Sequence, residues 1–164
     1  LNVVAGVVTT PGLHVSGIAT VGTALTVYPD NVSFYGLLRE KVNISATALN
    51  SDTVINLDQG MTHYRSSAVG AANVAINVIS GTGINTDMSI GDAIAVNVMT
   101  SAGNASHYVD VIKIDGLASG ITTCWVGGSK PSDGGASSVD TYAFNILKTA
   151  SATYTVVANQ VKCS

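Results

Sequence analysis

Few residues in this sequence have the types and spacing that chemistry needs. The histidines are His14, His63 and His107, and none stands in a metal-ligating pattern with another histidine, a cysteine or an acid. No Cys-x-x-Cys or Cys/His spacing suggests zinc. Glycoside hydrolysis needs two carboxyls facing each other across a cleft. Asp58, Asp87, Asp92, Asp110, Asp115, Asp133 and Asp140 qualify by type only, and most stand in turn-forming sequence, where aspartate is expected anyway. There is neither a Gly-x-Ser-x-Gly nucleophile elbow nor a His-Glu-x-x-His zinc motif. Gly127-Gly128 and Gly134-Gly135 precede no helical pattern, so they do not read as a phosphate loop. Asn31-Val32-Ser33, Asn43-Ile44-Ser45 and Asn104-Ala105-Ser106 match the glycosylation acceptor, a pattern that chance supplies often and that needs a secretory pathway. Cys124 and Cys163 are too few for a disulfide framework and read as free thiols. The sequence thus predicts no catalytic, cofactor-binding or metal-binding residue, and a protein that is not an enzyme.

The elements that must position any site are short strands. Period-two alternation of β-branched and aromatic residues is the strand signal. It is clearest in Asn73–Val78, Ala93–Met99, Tyr108–Ile114, Val139–Leu147 and Tyr154–Ala158. Val42–Ala46 and Val54–Leu57 alternate too, and Met61–Arg65 is a short candidate. Asp115-Gly116 is a tight-turn dipeptide, and Ser101–Ser106 reads as a hairpin loop. Lys148–Thr153, small and polar, reads as a hairpin connection. The only tryptophan, Trp125, opens a corner with Gly127, Gly128 and Pro131, and the indole is expected to pack in the core over that corner. Roughly eight strands at roughly ten-residue spacing, with no long 3.6-residue period, predict an all-β fold, an antiparallel β-sandwich of jelly-roll-like type.

Residues 1–33 have a different rhythm. Leu1-Asn2-Val3, Leu13-His14-Val15 and Leu25-Thr26-Val27 recur at a fixed step, and Gly-(Val/Ile)-x-Thr recurs at Gly6–Thr9 and Gly17–Thr20. Leu1 and Val3, Leu13 and Val15, and Leu25 and Val27 would each share one strand face. Such a rung offers an apolar edge too narrow for a core of its own, so stacking against copies or neighbours is expected. This predicts an extended N-terminal β arm or stem over 1–33, closed by the turn signal Tyr28–Asn31, and a sandwich domain over 34–164. The sequence begins in mid-pattern, without Met, as the end of a longer or processed polypeptide would.

Composition narrows the partners. Charged residues make up 10% against 46% hydrophobic, and the mean hydropathy is +0.39. A typical soluble domain carries about 25% charge. So few charges predict an obligate oligomer whose interface is uncharged. Net charge is −3 with no basic run, which gives nucleic-acid binding no electrostatic support. The apolar runs are far too short for membrane insertion.

Three stretches go further: Trp125–Pro131, then Ser137–Tyr142, then Lys148–Val156. With their Trp-x-Gly-Gly-x-x-Pro, Asp-x-Tyr-x-Phe and Lys-Thr-Ala-x-x-x-Tyr-Thr-Val patterns, they resemble the C-terminal domain of virion structural and tail-fibre-like proteins of marine tailed phages, especially those infecting cyanobacteria. Leu37–Val42 and Met88–Asp92 are similar to stretches of that family, as is the rhythm of the arm. Cys124 and Cys163 depart from its pattern. The resemblance implies a virion protein assembled in the host cytoplasm: a tail-fibre or surface-appendage module, homotrimeric, contacting other virion proteins and host surface glycans. Two alternatives stay open, a capsid decoration (cement) protein and a carbohydrate-binding domain at a fibre tip.

Overall fold

A computed structural model describes residues 35–163, and the sheets form within the compact unit Arg39–Ser164. The arm residues Leu1, Val3, Leu13, Val15, Leu25 and Val27 lie outside the described residues. Nine strands follow in order: β1 Val42–Ser45, β2 Thr53–Asn56, β3 Thr62–Ala68, β4 Val74–Ile79, β5 Ala93–Ser101, β6 Val109–Ile114, β7 Ile121–Trp125, β8 Val139–Ala150 and β9 Thr153–Lys162. A single turn of helix, α1 (Ile84–Asp87), precedes β5.

The strands make two sheets, a larger one of order β1-β3-β5-β8-β9-β7 and a smaller one of order β2-β4-β6. From β1 to β7 successive strands alternate between the sheets, so the chain winds as a coil. Neighbours within a sheet are two strands apart in sequence and run parallel: β1 with β3, β3 with β5, β2 with β4, β4 with β6. A tight turn cannot join parallel strands. Here the strand in the opposite sheet serves as the crossover. The β8–β9 hairpin interrupts the coil, entering the larger sheet between β5 and β7. It pairs antiparallel with β5 through β8 and parallel with β7 through β9.

The expectation of a β-rich fold holds, but its antiparallel, jelly-roll-like form is corrected. Only β5–β8 and β8–β9 are antiparallel, and the other five strand pairings are parallel. Parallel sheets are usually covered on both faces and so read as unbroken apolar runs. In this coil each sheet buries one face only. Its parallel strands therefore alternate as antiparallel ones do, and alternation carries no information about direction.

The buried faces meet in one apolar cluster. Val74, Ile76 and Val78 of β4 are fully buried, as are Val96 and Val98 of β5, Tyr142 and Ile146 of β8, and Val156 and Ala158 of β9. Burying one such aliphatic or aromatic side chain contributes about 1.5–3 kcal/mol. The Asp115-Gly116 turn forms as expected, with φ of 50° and 81° and two reciprocal bonds of 3.0 Å between Ile114 and Leu117. The connection expected at Lys148–Thr153 is shorter than that: β8 runs on to Ala150, leaving Ser151 and Ala152 to turn. Lys148 continues the inward face of Ile146. It is 6% exposed, and its ammonium donates to the carbonyls of Asn85 at 2.6 Å and Met88 at 2.8 Å.

Candidate functional site

The two sheets differ in width, and the difference makes a cleft. The inward residues of β5, β8 and β9 are covered by the smaller sheet, whereas Ile121, Thr123 and Trp125 of the edge strand β7 stay half-buried. Opposite them lies β6, the edge of the smaller sheet. Asp110, Val111 and Ile112 of β6 and Ile121, Thr123 and Trp125 of β7 line an open space of about 370 Å³, together with Ala118 and Lys130.

A β-bulge places the acid. Val74 pairs with Val109 and Ala75 with Val111, so Asp110 is the extra residue. Bulges re-aim a side chain that regular pleating would send elsewhere. The Asp110 carboxylate is 2% exposed, and its Oδ2 accepts a bond of 2.7 Å from the Lys130 ammonium, itself 63% exposed. That bond and the nearby negative charge push the Lys130 pKa up. Oδ1 finds no hydrogen-bond partner among the described residues. A buried carboxylate with one oxygen unmet is costly, because desolvation is not repaid there.

The bulge is tied to the opposite sheet. The Tyr142 hydroxyl, buried on β8, accepts from the Val109 N–H at 3.2 Å and from the Gln160 side chain at 3.1 Å. Burial above all pushes the Tyr142 pKa up to about 12, so the hydroxyl keeps its proton. Gln160 also donates to the Asp133 carbonyl at 3.0 Å, fastening the loop that carries Lys130.

Of the expected corner residues, Trp125 lines this cleft, and Gly127, Gly128 and Pro131 shape the turn beside it. Trp125 is half-buried rather than enclosed, with its ring edge-on to Phe144 at 6.2 Å and 73°. Gly127 and Gly128 take φ of 89° and 82°, which bulkier residues adopt only with strain. Their turn, closed by a 3.0 Å bond from the Gly128 N–H to the Trp125 carbonyl, reverses the chain. Pro131 is buried beyond it, and Lys130 between them is brought back over Asp110.

No family model matches the sequence, no curated protein matches it, and no solved structure matches it. The chemistry of the site rests on its own atoms.

Of the seven aspartates flagged by type, Asp110 and Asp140 are buried. Asp140 accepts from the Gly135 N–H at 2.8 Å and holds the glycine pair against the 107 loop, where a Cβ on Gly134 would stand 2.1 Å from the His107 carbonyl oxygen. Asp115 caps α1, accepting from the Ile84 and Asn85 N–H groups at 2.9 Å each. Asp92 accepts from Ser89, Asp87 from Thr82, and Asp133 pairs with Lys162. Asp58 sits in the 3-10 turn after β2. These carboxylates are spread over the unit and do not converge on one site. His63 is buried, with Nε2 3.0 Å from the Gly60 carbonyl, and burial chiefly lowers its pKa. His107 holds the Val69 carbonyl at 2.7 Å through Nδ1, while His14 lies outside the described residues. Among the described residues no group of three His, Cys, Asp or Glu could hold a metal ion, and no helix is long and apolar enough to cross a membrane. Cys124 and Cys163 are free and exposed.

Sequence reasoning missed the Asp110–Lys130 pair. Each residue was visible, Asp110 as one acid among several and Lys130 inside the corner motif. Twenty residues separate them, and only the bulge and the glycine turn bring them together.

Proposed function

We propose that the chain is a non-enzymatic virion structural protein, a tail-fibre or surface-appendage module that assembles as a homotrimer with copies of itself and binds other virion proteins. The resemblance of Trp125–Pro131, Ser137–Tyr142 and Lys148–Val156 to phage virion proteins supports the reading. The architecture is taken as a two-layer sandwich of coiled topology, a stiff module suited to repetition along an appendage.

One observation carries the proposal, the outer face of the larger sheet. Its strand positions read Val42 and Ile44 on β1, Thr62 and Tyr64 on β3, and Ala95, Asn97 and Met99 on β5. Thr141, Ala143, Asn145 and Leu147 follow on β8, Thr155, Val157, Asn159 and Val161 on β9, and Thr122 and Cys124 on β7. Among the described residues not one of these is charged. Ile44 is 71% exposed, Val161 49% and Val157 44%. A solvated sheet face would carry lysine and glutamate. Cores of interfaces are depleted of charge. The same face would serve a decoration protein lying on a capsid, and the two readings differ in what the face meets.

Gold-labelled antibody against the chain, imaged on intact particles, tests the assignment. Label on fibres or appendages supports the proposal. Label spread over the capsid lattice replaces it with the decoration reading, and absence from purified particles refutes both.

A further inference from the structure

We propose that residues 35–38 of one chain seat their apolar side chains in the β6–β7 cleft of the next chain in the assembly, so that each protomer laces its neighbour. The inference rests on the homotrimer reading and names a second contact between the chains, besides the outer face.

Two features of the described residues call for cover. Leu37 is 85% exposed and Leu38 70%, and Tyr35 beside them is exposed as well. Large apolar side chains scattered singly on a surface are ordinary, whereas a contiguous exposed group of them marks a contact site. The cleft is the second feature. Ile121 and Trp125 of β7 and Val111 of β6 stay half-buried along it.

The two features match in chemistry. Residues 35–38 carry no charge. The charged groups that line the cleft, Asp110 and Lys130, are already joined to each other at 2.7 Å, so an occupant has no charge to meet. A space of about 370 Å³ falls at the small end of ligand sites, roughly 300–1,000 Å³, and suits a few side chains rather than a whole strand or helix. Tyr35 can lay its ring on the apolar wall and keep its hydroxyl at the wet rim.

Placement says which chain supplies the segment. Leu37 and Leu38 are exposed within the single chain, so their cover comes from another. Residues 35–38 lead through Arg39, Glu40 and Lys41 into β1, one edge of the larger sheet, and the cleft lies beside β7, the other edge. Those edges are five strand spacings apart, about 24 Å. A contact between two different patches is heterologous, and a rotation that closes turns such contacts into a ring. A trimeric ring occupies every cleft with a neighbour's segment and leaves no segment over.

Cysteine pairing in the full chain tests this. Cys124→Ser and Cys163→Ser remove the natural thiols, both exposed. Leu38→Cys with Thr123→Cys then places one thiol on the segment and one in the cleft. Mild oxidation is expected to give covalent dimers and trimers on a denaturing gel, and either new cysteine alone is expected to leave the chain at monomer mass. Trp125, the only tryptophan, is a second reporter. Leu37→Asp with Leu38→Asp should shift its emission to longer wavelength and increase its quenching by acrylamide. Light scattering should still give a trimer mass for this variant, because the outer face holds the assembly. A monomeric parent overturns the homotrimer reading and this inference with it. A trimeric parent overturns the inference alone in any of three cases: the thiols link only within one chain or not at all, the single-cysteine variants link as well as the double one, or the two aspartates leave Trp125 emission unmoved.

Discussion

The outer face of the larger sheet and the β6–β7 cleft share one strand, β7, and have opposite chemistry. The face is broad and carries no charge among the described residues, with valine, isoleucine, threonine and asparagine side by side across six strands. The cleft is small and concave, and buries a carboxylate against an ammonium at 2.7 Å. A broad uncharged surface gains by being covered whole, which another protein surface does. A concavity with few fixed polar groups gains by enclosing a small group. On the proposed reading, assembly belongs to the face. It follows from sheet width, since the hairpin insertion lets the larger sheet overhang the smaller.

The contrast can be broken from the cleft side first. Trp125→Ala removes an aromatic that packs on Phe144 yet remains half-buried. Calorimetric unfolding should show a loss of about 3 kcal/mol, the low end of the ~3–5 kcal/mol for buried aromatics. The assembly state should not change. An unchanged melting temperature would mean that the indole contributes nothing to the core.

Tyr142→Phe tests whether the bulge is held from the larger sheet. Its hydroxyl accepts from the Val109 N–H, which would be left unmet in the interior. Denaturant unfolding should show a loss of about 2 kcal/mol, within the ~1–3 kcal/mol for an orphaned buried polar group. Unchanged stability would mean that the Tyr142 hydroxyl does not hold the bulge.

These two tests use positions the sequence marked unequally. Trp125 and its glycines stood out by composition, and the inward faces Val74/Ile76/Val78 and Tyr142/Phe144/Ile146 stood out by alternation. Strand direction was hidden, because a sheet buried on one face alternates in either direction. Lys148 was hidden by its polar neighbours Thr149 and Ser151, although it extends the inward row of β8 to carbonyls of the α1 segment. The Asp110–Lys130 pair depends on an inserted residue in β6, and a bulge leaves no mark in an alternating pattern that already varies.

A smaller effect should appear with pH. Burial holds the His63 pKa below its ordinary 6.5, the Arg65 charge adds to this, and the Gly60 carbonyl opposes it. As pH falls below about 6.5 the unfolded chain binds the proton first. Stability should therefore decline from there down through the folded pKa, and be unaffected by this group well above pH 6.5. Melting temperature followed from neutral to mildly acid pH should drop, and His63→Gln should flatten the slope. A parent curve that is flat across that range would mean His63 is not buried in solution.

The smallest effect on folding, and the largest on assembly, is expected on the outer face. Val157→Lys places a charge on an exposed strand position, where substitutions change stability by about 0.5 kcal/mol or less. Light scattering of the full chain and of this variant, at matched micromolar concentration, tests the central claim most directly. The account predicts a trimer mass for the parent and a monomer mass for the folded variant. A parent that is monomeric, or a variant that stays trimeric, would contradict it.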